Sequence, residues 1–156
     1  MIRISRYLII VLLVIAVVSV AVGATFISQA VAKENWIKEA MRQEKVTLGL
    51  PEEAVKRGEV IDTAKEAQIA ADTIREHRRA IAPTYDALLT GGRYDPTNPK
   101  HLSYTQALNM ENYLYMSVLA FGVTTALTGT GVFMILVGIA LGATGVVLLR
   151  LAKKTS

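Results

Sequence analysis

The chain has no cysteine. That excludes a disulfide framework, a thiolate nucleophile and Cys-ligated zinc or iron–sulfur sites. Histidine is nearly as scarce: His77 and His101 stand apart and belong to no ligand cluster. Charge is missing from two long stretches, residues 7–32 and 112–149, and all 13 acidic residues lie between Glu34 and Glu111. With no ionisable side chain inside either apolar stretch, a proton relay or ion-pair pathway of the usual kind is excluded. No phosphate loop, dinucleotide fingerprint, paired carboxylates or nucleophile with its base is found, and no cofactor is expected. The sequence therefore reads as a non-enzyme, and it does not reveal a ligand.

The net charge of +4 is concentrated at the ends. Arg3, Arg6, Arg150, Lys153 and Lys154 flank the apolar stretches, whereas residues 33–113 hold 12 basic and 13 acidic residues. Cations beside apolar runs fit the positive-inside bias and anionic lipid, so no nucleic-acid partner is expected.

Residues 7–32 are long enough for a transmembrane helix, since about 20 apolar residues cross a bilayer. Arg3 and Arg6 put the N-terminus (residues 1–6) in the cytoplasm. Ala30-Val31-Ala32 has the form of a signal-peptidase site, but the apolar run exceeds the usual core of a signal peptide. We therefore expect an uncleaved anchor, with the segment that follows outside the cytoplasm.

That polar segment, residues 33–102, is expected to be helical and hairpin-like. Lys33–Leu48 puts Trp36, Ile37, Ala40, Met41 and Leu48 along one face, and Gly49-Leu50-Pro51 ends it. Over Glu59–Ala82, the positions Val60, Ala64, Ala67, Ala71, Ile74, Arg78 and Ile81 follow steps of four and three. This heptad-like seam of small residues suits close approach of a second helix. The expected partner is the preceding helix, folded back, or else a helix of another subunit. The run Arg75, His77, Arg78, Arg79 suits a helix C-terminus before Pro83. Thr90–His101 reads as a loop, because Gly91-Gly92, Asp95-Pro96 and Asn98-Pro99 are turn dipeptides. Asp95, Thr97 and Asn98 lack the carboxylate series of a calcium loop, so no metal is expected. Ser103-x-x-Gln106 has the form of a capping box, and a helix is expected to begin there.

The second apolar stretch is too long for one simple crossing. In the preferred reading, residues 103–127 form an interfacial approach helix with Tyr104, Tyr113, Tyr115 and Phe121 at headgroup level. Glu111 then lies at the interface, residues 128–149 span, and residues 150–156 are a cytoplasmic tail. The alternative puts a turn at Thr128-Gly129-Thr130-Gly131 and gives three spans with a C-terminal helical hairpin, at the expense of the positive-inside bias. Gly131, Gly138 and Gly145 recur every seven residues, and Gly138 and Gly142 form a GxxxG, so these glycines offer a packing stripe. Ser19, Gly23 and Ala24-x-x-x-Ser28 on the first span offer a matching surface.

Together these features predict an all-α membrane protein with two transmembrane helices flanking an extracytoplasmic helical domain. It is expected in the cytoplasmic (inner) membrane with both termini in the cytoplasm. The expected role is an accessory or scaffold subunit. It would bind a membrane-protein partner, or copies of itself, through its outer helices and its small-residue span. A sensor-like module signalling through a partner and a small oligomeric pore are the alternatives.

Overall fold

The computed structural model describes residues 2–154, and side chains from Arg6 to Lys154. Five helices follow one another: α1 (Ile2–Gln43), α2 (Glu52–Lys56), α3 (Ala64–Ile81), α4 (Tyr85–Leu89) and α5 (Pro99–Lys154). Among the described residues there is no strand. Two of the helices, α1 and α5, are long and apolar enough to cross a membrane. The chain divides into two compact units. One comprises the residues up to Lys33 and those from Val123 on, and the other comprises Glu34–Gly122.

The first unit is an antiparallel pair made from α1 and α5. Its pairing follows from a period of seven residues in both helices. Ile9, Ala16, Gly23 and Ala30 are buried on α1, and Thr124, Gly131, Gly138 and Gly145 on α5. A strict repeat of seven keeps one seam turned toward the partner, provided the two helices supercoil left-handedly. Gly131 lies against Gly23 and Ile27, Gly138 against Ala16 and Val20, and Gly145 against Leu12 and Leu13. The rising and falling numbers define the antiparallel register. Away from the seam the surface is apolar, with Leu8, Ile10, Val14, Val18, Phe133, Leu136 and Ile139 exposed. Within this unit the uncharged runs, residues 7–32 and 123–149, each rise about 40 Å at 1.5 Å per residue. That exceeds the roughly 30 Å of a bilayer's hydrocarbon core. Thr128–Gly131 is uninterrupted helix, so the turn required by the three-span alternative is absent.

The second unit is a small helical domain. Pro51 precedes α2, and Gly49 turns the chain with φ +78°, a conformation that suits glycine. The Ile61 amide donates to the Val46 carbonyl at 2.8 Å and closes this loop. The third helix begins at Ala64, later than the expected Glu59, because Thr63 caps it. The Thr63 hydroxyl accepts the Glu66 amide at 3.2 Å, and the Glu66 carboxylate accepts the Asp62 amide at 3.0 Å. Thr84 caps α4 in the same way, accepting the Ala87 amide at 3.1 Å.

The fifth helix begins at Pro99, not at Ser103. Pro99 has no amide to leave unsatisfied in the first turn, and the Asn98 side chain accepts the Lys100 amide at 2.9 Å. The expected capping box at Ser103 therefore lies inside the helix, and Asn98-Pro99 starts it where a turn was expected. One core joins Ile61, Ala67, Ala70, Ala71, Ile74 and Leu114, flanked by Val46, Leu48, Leu50, Ala107, Tyr115 and Val118. A smaller one joins Ala82, Leu88 and Tyr104.

Candidate functional site

The alanine seam of α3 packs on a later element than expected. Ala67, Ala71 and Ile74 are buried and Ala64 is half-buried, while Val60 precedes the helix. The core they share is completed by α5 and by the 46–50 loop, where packing on the preceding helix was expected. Small side chains let α5 come close, and its large residues fill the gap.

That close approach carries two charges into the domain interior. Arg78 and Glu111 are only 8% and 7% exposed. Arg78 Nε donates to Glu111 Oε2 at 2.6 Å, and its terminal nitrogens donate to Glu111 Oε1 at 3.4 Å and to the Tyr104 hydroxyl at 2.6 Å. The hydrogen bond that Arg78 donates to Glu111 holds the Arg78 pKa above its ordinary value, against the opposing effect of burial. Next to this pair, Arg75 bonds Asp72 and lies over the Tyr115 ring, 4.9 Å from its centroid. Arg75 Nε stands 3.7 Å from Glu111 Oε1, and the Tyr115 hydroxyl donates to Asp72 at 2.6 Å. Two cations thus face two carboxylates across α3 and α5, and each charge has an opposite within the cluster. The arrangement orients two helices.

These contacts revise three expectations. Arg78 and Arg79 do lie in the last turn of α3, as expected, but Arg78 turns inward and Arg75 joins it in the cluster, so only His77 and Arg79 of the run are exposed. Glu111 is a core residue of the domain where an interfacial end residue was expected. Tyr104 is 1% exposed and Phe121 is buried, so neither side chain lies on the surface of the chain, while Tyr113 is exposed. The polar Asp95–His101 segment is organised by its own side chains. Asp95 Oδ1 accepts from the Thr97 amide and hydroxyl, and His101 Nδ1 accepts the Asp95 amide at 3.0 Å. The two bonds from Thr97 lower the Asp95 pKa.

A groove of about 510 Å³ opens on this domain. Met41, Val46, Leu48, Met110, Tyr113 and Leu114 line it, and Glu44, Gln106, Asn109 and Ser117 add polar atoms. Met110 and Tyr113 are 51% and 71% exposed.

In the first unit the glycines differ sharply in what they face. A Cβ on Gly23 would meet the Gly131 carbonyl oxygen at 2.6 Å, and one on Gly131 would meet the Gly23 oxygen at 2.7 Å. One on Gly138 would meet the Ala16 oxygen at 2.8 Å, whereas at Gly145 the close atoms are the mobile ends of Leu12 and Leu13. Gly142 would make an ordinary contact, 3.6 Å from the Ala16 Cβ, so the GxxxG spacing does not define the tight seam. On α1, Ser19 is half-buried, while Ala24 and Ser28 face outward. The chain's own first helix therefore occupies the glycine stripe. Of the expected topology anchors, Arg6 and Lys153 line one cleft and Lys154 a neighbouring one. Arg150 is exposed, and the Arg3 side chain lies outside those described. Thr128 donates back to the Thr124 carbonyl at 2.9 Å, satisfying its hydroxyl within the helix.

Among the described residues, no group of three or more His, Cys, Asp or Glu could hold a metal ion. Compared with protein-family models, curated proteins and solved structures, the chain matches none.

Proposed function

We propose that the chain is an integral protein of a cytoplasmic (inner) membrane and acts as a non-enzymatic accessory or scaffold subunit. Both termini lie in the cytoplasm in this reading, and residues 33–113 lie outside. The antiparallel seam supports it, because Arg6 and Lys153 border the same cleft, so the two cation-flanked ends share a side. The apolar outer surface of the helix pair supports its immersion in lipid.

The observation that carries the accessory role is the groove between Met41 and Met110. Its mostly apolar lining, with Glu44, Gln106, Asn109 and Ser117 among it, suits an amphipathic helix of a membrane-protein partner. Methionine side chains adapt their shape to such a ligand. Because α1 covers Gly131, Gly138 and Gly145, partner contacts in the membrane fall on other faces.

Isolation in mild detergent at native expression tests this reading. A defined heteromeric assembly with the wild-type chain, lost from Met110→Glu/Tyr113→Ser, is the expected result. A chain recovered alone, or one whose assembly ignores both substitutions, overturns it. A homo-oligomer would make a second copy the occupant.

A further inference from the structure

The exposed surface of the antiparallel pair changes character along its length. From Leu8 to Val20 on α1 and from Val132 to Leu149 on α5, large apolar side chains face outward. Over residues 21–30 of α1 and 124–131 of α5, no large apolar side chain is exposed. The exposed positions there include Ala24, Thr25, Ser28 and Gln29 on α1, and Gly129 and Thr130 on α5. Thr25 donates back to the Ala21 carbonyl at 2.9 Å. Gln29 has a larger demand, because its exposed amide needs partners that hydrocarbon does not offer. Val31 and Val123, exposed singly past this belt, are ordinary surface residues. The change takes in the exposed positions of both helices together, so it marks a level along the pair. A docking face would occupy one side.

The seam puts the two apolar bands side by side. Gly131 lies between Gly23 and Ile27, and Gly138 between Ala16 and Val20. Val132 is therefore level with Ala24, and Leu149 with Tyr7. Residues 7–24 and 132–149 are 18 residues each, about 27 Å at 1.5 Å per residue. That is close to the roughly 30 Å of a hydrocarbon core. The rest of each uncharged run, 25–32 and 123–131, adds about 12–14 Å more, which hydrocarbon need not cover. At the other end of the bands, Tyr7 is 72% exposed and Arg150 is exposed, an amphipathic ring and a cation suited to headgroups. We propose that acyl chains cover only residues 7–24 and 132–149, and that residues 25–30 and 125–131 meet the headgroups of the leaflet far from Tyr7. Ser28, Gln29 and Thr130 there exchange hydrogen bonds with headgroup oxygens and interfacial water.

The proposal rests on the helix pair being a membrane anchor, and one experiment separates the two claims. Ser28→Cys, Thr130→Cys, Val18→Cys and Leu136→Cys are made singly in the full, otherwise cysteine-free chain, at positions that are all exposed. Each is spin-labelled and reconstituted in vesicles of phosphatidylethanolamine and phosphatidylglycerol. Collisions with oxygen, which concentrates in hydrocarbon, and with a water-soluble nickel complex report the depth of each label. Labels at 18 and 136 are expected to favour oxygen, and labels at 28 and 130 the nickel complex. Positions 18 and 28 should differ in depth by about 15 Å, ten residues along one helix. Oxygen favoured at 28 and 130 as well would put the belt in hydrocarbon and overturn the proposal. Exclusion of both reagents from 28 and 130 would put a second copy or a partner helix on the belt, and overturns it too. A nickel complex that reaches 18 and 136 overturns the anchor itself.

Discussion

Replacing Gly23 with alanine puts one methyl group where the helices of the pair meet. The new carbon would stand 2.6 Å from the Gly131 carbonyl oxygen, about 0.8 Å inside the 3.4 Å at which ordinary contact begins. The obstacle is backbone, so it cannot be relieved by rotating a side chain, and the helices must separate. A gap of 0.5–1 Å forfeits roughly a quarter to a half of each dispersion contact along the seam. Overpacking of this kind costs about 1–3 kcal/mol, against which alanine returns at most about 1 kcal/mol of helix propensity. We predict a net loss of about 1–2 kcal/mol for Gly23→Ala and for Gly131→Ala. Because the two share one contact, the double variant should lose less than the sum. Gly142→Ala meets only a 3.6 Å contact and Gly129→Ala meets nothing, so both should be neutral or slightly stabilising. Denaturation in micelles, titrated with a harsh detergent and followed by circular dichroism, measures the series. Equal losses at Gly23 and Gly142, or no loss at Gly23, would refute the seam as described.

Three further outcomes follow from the polar helical domain. Glu111→Ala leaves the Arg78 guanidinium buried without its carboxylate, and should cost about 3–5 kcal/mol in thermal or chemical unfolding. Arg78→Met/Glu111→Leu should recover much of that loss, because no unpaired charge remains. Thr63→Ala removes the hydroxyl that caps α3, and should cost about 1 kcal/mol by the same measurement. The Asp95 pKa is lower in the folded loop than its ordinary 3.8, so its contribution is fully present above that value. The contribution is lost as pH falls through the lower folded value. An NMR titration of the Thr97 amide should show that transition, and Asp95→Asn should abolish it.

Much of the helix pair was legible from charge and spacing. The two uncharged runs mark α1 and α5, and the repeat of Gly131, Gly138 and Gly145 marks one side of the seam. On α1 only Gly23 of the counterpart was legible, because Ile9, Ala16, Gly23 and Ala30 share a period but not a residue type. Ala24 and Ser28, which continue the expected surface, are small but face outward. A period of seven, counted without regard to size, finds the right face.

The polar helical domain was harder to read, for reasons of tertiary contact. Uncharged residues from Asn112 onward read as membrane segment, yet up to Gly122 they belong to the polar unit, where Leu114 and Phe121 are apolar because they pack a core. Glu111 and Arg78 are 33 residues apart, and no local pattern announces that each is the other's counterion. The start of α3 was placed too early, at Glu59, because the Thr63-x-x-Glu66 cap went unread, whereas Ser103-x-x-Gln106, which was read as a cap, lies inside α5.

The central claim is that α1 and α5 of one chain form an antiparallel pair in the register set by Gly23 and Gly131. The cysteine-free chain allows a direct test. An alanine carbon at Gly142 would stand 3.6 Å from the Ala16 Cβ, within the 3.5–4.5 Å range of a disulfide. Mild oxidation of Ala16→Cys/Gly142→Cys in native membranes should give an intrachain disulfide in a monomer, while Ala24→Cys/Gly142→Cys stays reduced. A disulfide-linked dimer, or equal cross-linking of both pairs, would contradict the account.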